Sequence, residues 1–218
     1  MNFEITAPGK LILLGEYAVL EGAPCLATAV DRRVSVKVVS NHRQNHHSLK
    51  LSHANIGPIR FVNCSFESDR IKGLASYQSD QLRSIRDILR STRTFGSDNS
   101  SQSQAIDIEI DAGHLFSDDG TNYGFGSIAA ITVALQAMDA HFRGEQPINL
   151  EKLLDRSIKI HRTLQSGRGS GIDTAVSTYG GIIEFQTHPS PKNGIPNVLE
   201  VAPLPGLHIG AVWSGRST

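Results

Sequence analysis

Two glycine-rich turns, each opening directly into a helical stretch, constrain this chain more than any other feature. The first runs from Gly120 to Gly126 and leads into an Ala-rich segment from Ser127 to about Phe142. The second runs from Gly167 to Gly171 and leads into a helix over Asp173 to Tyr179, ended by Gly180-Gly181. Glycine at such a junction lets the backbone turn sharply and lets a ligand come close. The free N–H groups and the dipole of a helix start favour an anion there. The chain has 20 glycines in 218 residues, and their clustering is the first pointer to an enzyme.

Composition narrows the classes. Hydrophobic residues are 39% and charged residues 19%, so the chain can bury a core and is no disordered tail. Lys plus Arg and Asp plus Glu are 21 each, so no basic excess marks nucleic acid or anionic lipid as a partner. Every apolar run is too short to span a bilayer, and Met1 to Glu4 lacks the layout of a secretory signal. Two cysteines, Cys25 and Cys64, are too few for a disulfide framework. The expectation is a cytoplasmic, reduced protein with no membrane and no nucleic-acid partner.

The first part reads as short strands in a mixed or antiparallel sheet: Phe3 to Ala7, Leu11 to Leu14, Cys25 to Val30 and Val34 to Val39. Tyr17 to Leu20 follows Gly15-Glu16 as another short apolar run. Asn41 to His53 carries His42, His46, His47 and His53. With no Cys, Asp or Glu among them they read as a solvated hairpin or loop rather than a metal site. Ile59 to Asn63 reads as a strand. Ser79 to Thr92 is helical, with Leu82, Ile85, Ile88 and Leu89 on one face and Arg83, Arg86, Arg90 and Arg93 on a solvated one. Phe95 to Gln104 is a loop rich in Ser, Asn and Gly. Ile106, Ile108 and Ile110 alternate with Asp107, Glu109 and Asp111, the pattern of a half-buried strand. Leu150 to Leu164 is a helix capped by Asn149. Ile182 to Phe185, Leu199 to Ala202 and Leu207 to Trp213 read as strands, the first two linked by Pro189 to Asn197. No internal repeat and no interdomain linker stands out.

Three segments can carry chemistry. Lys10, just after Pro8-Gly9, can reach a phosphate or simply be solvated. Tyr123-Gly124-Phe125-Gly126-Ser127-Ile128-Ala129-Ala130 can cradle an anion or be a flexible cap. It is neither a Walker A loop, lacking Gly-Lys-Ser/Thr, nor a Rossmann fingerprint, lacking the third glycine. Asp173, presented by Gly169-Ser170-Gly171, can act as a general base or metal ligand, or belong to a helix start.

Taken together and in this order, the three resemble the GHMP kinases, named for galactokinase, homoserine kinase, mevalonate kinase and phosphomevalonate kinase. The first motif is similar to Pro8-Gly9-Lys10 through Gly15-Glu16, and the glycine-rich phosphate loop to Gly124 through Ala130. The segment bearing the catalytic aspartate is similar to Gly169 through Asp173 with Ala175 to Gly181 after it. The likeness runs from about Phe3 to Trp213. It implies an α+β domain of the ribosomal-protein-S5-domain-2-like type over residues 1–218, the family's N-terminal ATP-binding domain. It further implies ATP, Mg²⁺ and in-line phosphoryl transfer, catalysed by positioning and charge neutralisation. Lys10 and Asp173 would be catalytic, and Gly124, Phe125, Gly126, Ser127, Ile128, Ala129 and Ala130 would hold the nucleotide phosphates. Glu16, Tyr17 and Ser170 would line the acceptor site. Tyr17 and the stretch from His161 to Asp173, with Gln165 and Gly167, look like the phosphomevalonate kinase branch. The implied acceptor is 5-phosphomevalonate, with mevalonate as the alternative.

At three places the chain departs from the family pattern. Ile128 stands where a serine hydroxyl binds Mg²⁺, leaving Ser127 as the nearest metal-ligand candidate. Arg162 stands where mevalonate kinases carry a Mg²⁺-binding glutamate. The family's last motif, a glycine-rich turn in a C-terminal ferredoxin-like domain, has no counterpart before Thr218. The expectation is a fragment of a longer protein, with an exposed apolar face prone to self-association. A separate C-terminal chain, or a catalytically impaired binding protein on the same fold, is the alternative.

Overall fold

The computed structural model describes residues 2–41, 46–54, 56–62, 65–66, 76–96, 105–117, 120–188, 194–203 and 205–215. His42, Cys64, most of the stretch after Phe95 and the start of the link after His188 lie outside them. The strands are β1 (Asn2–Leu14), β2 (Cys25–Ser40), β3 (His47–Leu51), β4 (Ile56–Val62), β5 (Ser65–Phe66), β6 (Ile106–Asp111), β7 (Ile182–Gln186) and β8 (Asn197–Val201). The helices are α1 (Ser76–Ser91), α2 (Arg93–Gly96), α3 (Ser127–Phe142), α4 (Leu150–Leu164) and α5 (Ile172–Tyr179).

One mixed sheet runs in the order β5-β4-β3-β6-β2-β7-β8, and β1 pairs with β2 along nearly its whole length. With that edge of β2 occupied, β6 and β7 share the other, β6 at Ser35–Ser40 and β7 at Cys25–Thr28. Among the described strands only β3 and β6 run parallel. The two strands expected within residues 3–14 are one. The β1–β2 register shifts between Pro8 and Gly9, so a bulge absorbs the Pro-Gly pair without ending the strand. The two strands expected within residues 25–39 are likewise one. Tyr17 to Leu20 is not extended: Ala18–Glu21 forms a 3₁₀ turn closed by Gly22.

Alternation decides the faces. Val34, Val36 and Val38 of β2 and Ile106, Ile108 and Ile110 of β6 point into the main core, where they meet α1 and α3. The other face carries Glu4, Lys37, Glu109 and Lys50 in register across β1, β2, β6 and β3, an alternating row of charges. Lys50 Nζ reaches Glu109 at 2.8 Å. Helix α3 is buried from Ala129 to Ala140 and packs against β1, α4 and α5. Asn149 caps α4 as expected, its Oδ1 accepting from Lys152 N at 2.9 Å. A second core joins β2, β7, α4 and α5 through Ala27, Leu154, Val176 and Phe185.

Two histidines depart from the solvated loop expected of them. His47 lies in β3 and is buried, its Nδ1 accepting from Ile106 N at 3.2 Å. His53 Nδ1 accepts from Ala112 N at 3.3 Å. Burial pushes both imidazoles below the ordinary histidine range, against weaker opposing pulls from Asp107 and Asp111. Unfolded histidine binds its proton near pH ~6.5, and these folded rings bind it only at lower pH. Stability is therefore full above that value and falls as pH drops through the window down to the folded pKa values, by up to about 1.4 kcal/mol per unit for each ring. A lower urea midpoint at pH 5.5 than at 7.5, with the difference reduced in His47→Gln, is the expected result.

Leu207 to Trp213, expected as a strand, pairs with no strand among the described residues. Leu207, Ile209 and Val212 are exposed there. Trp213 rests edge-on against Tyr123 at 5.1 Å between ring centres. Among the described residues no helix is long and apolar enough to cross a membrane.

Candidate active site

Three residues of β1 gather the site. Gly9 carries no side chain where a Cβ would stand 2.8 Å from Leu115 Cδ2 and 3.0 Å from Phe125 O. That gap admits the first glycine-rich loop, and Lys10 N donates to Phe125 O at 2.9 Å. On the other side Ser177 Oγ of α5 donates to Pro8 O at 2.8 Å. The first glycine-rich loop and helix α5 are thus both fastened to one bulged corner of the sheet.

The result is a close triad of positions from the three segments. Lys10 Nζ lies 3.4 Å from Asp173 Oδ1, with the side chains 14% and 27% exposed, shielded yet open to an incoming ligand. Gly126 fits between them: a Cβ there would stand 3.2 Å from Lys10 Cγ and 3.7 Å from Asp173 Cβ. Gly126 is also the N-cap of α3, in the left-handed region at φ 74°, with no side-chain cap. The first-turn N–H groups of α3 have no partner within the helix, so an anion can be received beside the ammonium of Lys10.

Asn122 organises this loop and was missed in the sequence. Its Oδ1 accepts from Gly124 N at 2.9 Å and its Nδ2 donates to Ser127 Oγ at 3.2 Å. The signal was there, since asparagine bonds readily to the backbone two residues on. Tyr123 meets Trp213 edge-on and lies under the Arg32 guanidinium, which is 5.7 Å from its ring centre.

The remaining expected residues divide. Glu16 and Tyr17 are exposed in the turn after β1, Tyr17 by 78%. The thiol of buried Cys25 is pushed up mainly by burial, then by the charge of Glu16, with Lys10 pulling it down and Asp173 raising it. Ser170 is buried, and its hydroxyl accepts from Ile172 N at 3.3 Å at the start of α5. His161 of α4 is buried, and burial pushes its pKa below the usual histidine value against the opposing pull of Asp173.

Among the described residues, the donor set at Ser127, Ile128 and Arg162 does not build a divalent-cation site. Ser127 is 4% exposed and its hydroxyl already engages Asn122. Ile128 has no oxygen and packs against the main core. Arg162 is a cation bonded to backbone carbonyls. Among the described residues no three His, Cys, Asp or Glu side chains gather into a metal-binding group. Ile128→Ser removes apolar contact from a half-buried position and is expected to cost about 1–2 kcal/mol. The calorimetric midpoint should drop by roughly 2–8 °C in a chain of this size.

These features define an α+β fold in which a glycine-rich loop at a helix start lies beside a Lys–Asp pair. No family model matches the chain. It is 30% identical over 216 residues to the phosphomevalonate kinase of Streptomyces sp. strain CL190, covering 97% of this chain and 56% of that protein. It is 32% identical over 185 residues to the mevalonate kinase of Methanothermobacter thermautotrophicus, covering 84% and 50%. The structure of Streptococcus pneumoniae phosphomevalonate kinase in complex with phosphomevalonate and AMPPNP shares the fold, with a TM-score of 0.68 at 14% identity over 92% of this chain and 59% of that one. The mevalonate kinase of Methanococcus jannaschii gives 0.67 at 18%, over 93% and 56%. Over most of its length the chain is thus similar to phosphomevalonate and mevalonate kinases, which are GHMP kinases. It spans about half the length of the relatives it matches.

Proposed function

We propose that this chain is the nucleotide-binding, aspartate-bearing part of an ATP-dependent isoprenoid-pathway kinase whose acceptor is 5-phosphomevalonate, with mevalonate as the alternative. The observation that carries this is the Lys10–Asp173 pair set against the open helix start at Gly126. ATP, when bound, supplies the phosphoryl group. Backbone N–H groups within the Gly124–Ala130 loop, at the start of α3, hold its phosphates, and Lys10 offsets the charge that builds up as the phosphoryl group transfers. Asp173 holds the acceptor oxygen against Lys10. A phosphate monoester with a second pKa near ~6 is already mostly ionised, so for 5-phosphomevalonate Asp173 acts chiefly by position. For the alcohol of mevalonate it takes the proton as the bond forms. No step is assigned to Mg²⁺, because the side chains present do not hold it.

The side-chain positions of Ile128 and Arg162 favour a second reading, a binding protein on the same fold. One experiment separates them. The full-length gene product is titrated with ATP and assayed for ADP release with each acceptor. ADP formation with 5-phosphomevalonate, or more weakly with mevalonate, is expected. ATP binding without ADP release would favour the binding protein, and no ATP binding would sink both.

A further inference from the structure

Arg162 has a second meaning beyond the loss of a carboxylate. It sits in the last turn of α4 and faces the loop that delivers Asp173. Its Nε donates to Gly169 O at 3.2 Å and its Nη2 to Ser170 O at 3.0 Å. The planar fork of one guanidinium thus spans two consecutive carbonyls, and its half-buried setting pushes its pKa down from the usual arginine value.

The next residue is Gly171, the N-cap of α5 at φ 96°. A Cβ there would stand 2.9 Å from Ile158 Cδ1, so α4 also presses on the loop from below. Gly171 O accepts from Ala175 N at 2.9 Å and from Thr174 Oγ1 at 2.8 Å, starting the helix. Asp173 is the second residue of that helix. A shift in the carbonyls of Gly169 and Ser170 therefore rotates the first turn and moves the Asp173 carboxylate relative to Lys10.

We infer that Arg162 is a positioning residue, whose guanidinium locks the Gly169-Ser170 carbonyls and so holds Asp173 at Lys10. This rests on the kinase reading for its effect on rate, but not for its effect on the loop. The chemistry explains the residue type. Carbonyl oxygens need donors, so a glutamate at this position would set an anion against two acceptors. A lysine offers one compact charge in place of a fork and can satisfy the pair only in part. Methionine keeps much of the apolar stem and removes the donors.

The test uses Arg162→Met and Arg162→Lys in the full-length gene product. Amide hydrogen exchange is followed over residues 167–176 and, as an internal reference, over α3. In Arg162→Met, exchange over 167–176 is expected to quicken about 10-fold or more while α3 is unchanged. kcat is expected to fall about 10-fold or more, with the KM for ATP within about 2-fold. Arg162→Lys should recover part of both. Unchanged exchange over 167–176 in Arg162→Met overturns the proposal, as does quickening that extends equally to α3. If Arg162→Met does not fold, Arg162→Lys is judged by the same two readouts, and wild-type values in it overturn the proposal. Absence of ADP release by the wild-type protein defeats the kinase reading alone, and exchange still decides the role of Arg162.

Discussion

Lys10→Met is expected to lower kcat of the full-length gene product by about 10²–10³-fold, the loss seen when one preorganised electrostatic group is removed from an active site. Its thermal midpoint should hardly move. The methionine keeps much of the stem that lies against Gly126, so packing changes little. Only the ammonium is lost, and the pair it forms with Asp173 is partly open to solvent, where such pairs contribute about 0–1 kcal/mol. ATP affinity should fall less than kcat, because the backbone N–H groups at the start of α3 supply most of the phosphate contacts. Stability and rate therefore separate in this variant. A kcat within about 5-fold of wild type would remove Lys10 from the catalytic role and leave the ion pair as architecture.

How far the sequence foretells such a site depends on whether the determining contacts are local. The alternation of Ile106, Ile108 and Ile110, the Asn149 cap and the glycine-bounded helices were all legible, because each is set by neighbours a few residues away. The unity of β1 was not, since a bulge at Pro8-Gly9 leaves no periodic signature and depends on β2 to hold it. His47 and His53 misled for a related reason: their partners, Ile106 N and Ala112 N, come from β6 and its end, 59 residues away. Leu207 to Trp213 misled in the opposite sense. Its apolar residues suit a strand, yet no described strand lies along it, and a strand is defined by its partner.

The site shows the same division. Spacing alone left Lys10, the Gly124–Ala130 loop and Asp173 each with an unremarkable alternative, and only the resemblance joined them. Their approach within a few ångströms arises from contacts no local pattern encodes, namely Lys10 N to Phe125 O and Ser177 Oγ to Pro8 O. Arg162 read as a missing ligand because its sequence position was compared with a carboxylate. Its bonds to Gly169 and Ser170 become visible only when the loop folds back on α4.

Gly126→Ala should cost the enzyme far more rate than stability, and Gly124→Ala shows why. Both glycines lie at positive φ, 74° and 82°, so alanine at either costs about 1–2 kcal/mol of backbone strain. Around Gly124 a Cβ meets nothing within 4 Å. At Gly126 it would stand 3.2 Å from Lys10 Cγ, tight enough that Lys10 or the loop must give by a few tenths of an ångström. Displacement of that size at a reacting centre is costly, since a misplacement of about 1 Å can lose about 10²-fold in rate. Matched thermal midpoints are therefore expected for the two variants, with kcat/KM at least about 10-fold lower in Gly126→Ala than in Gly124→Ala. Equal kcat/KM in the two would mean that strain alone governs the loop and that the contact between Gly126 and Lys10 has no part in catalysis.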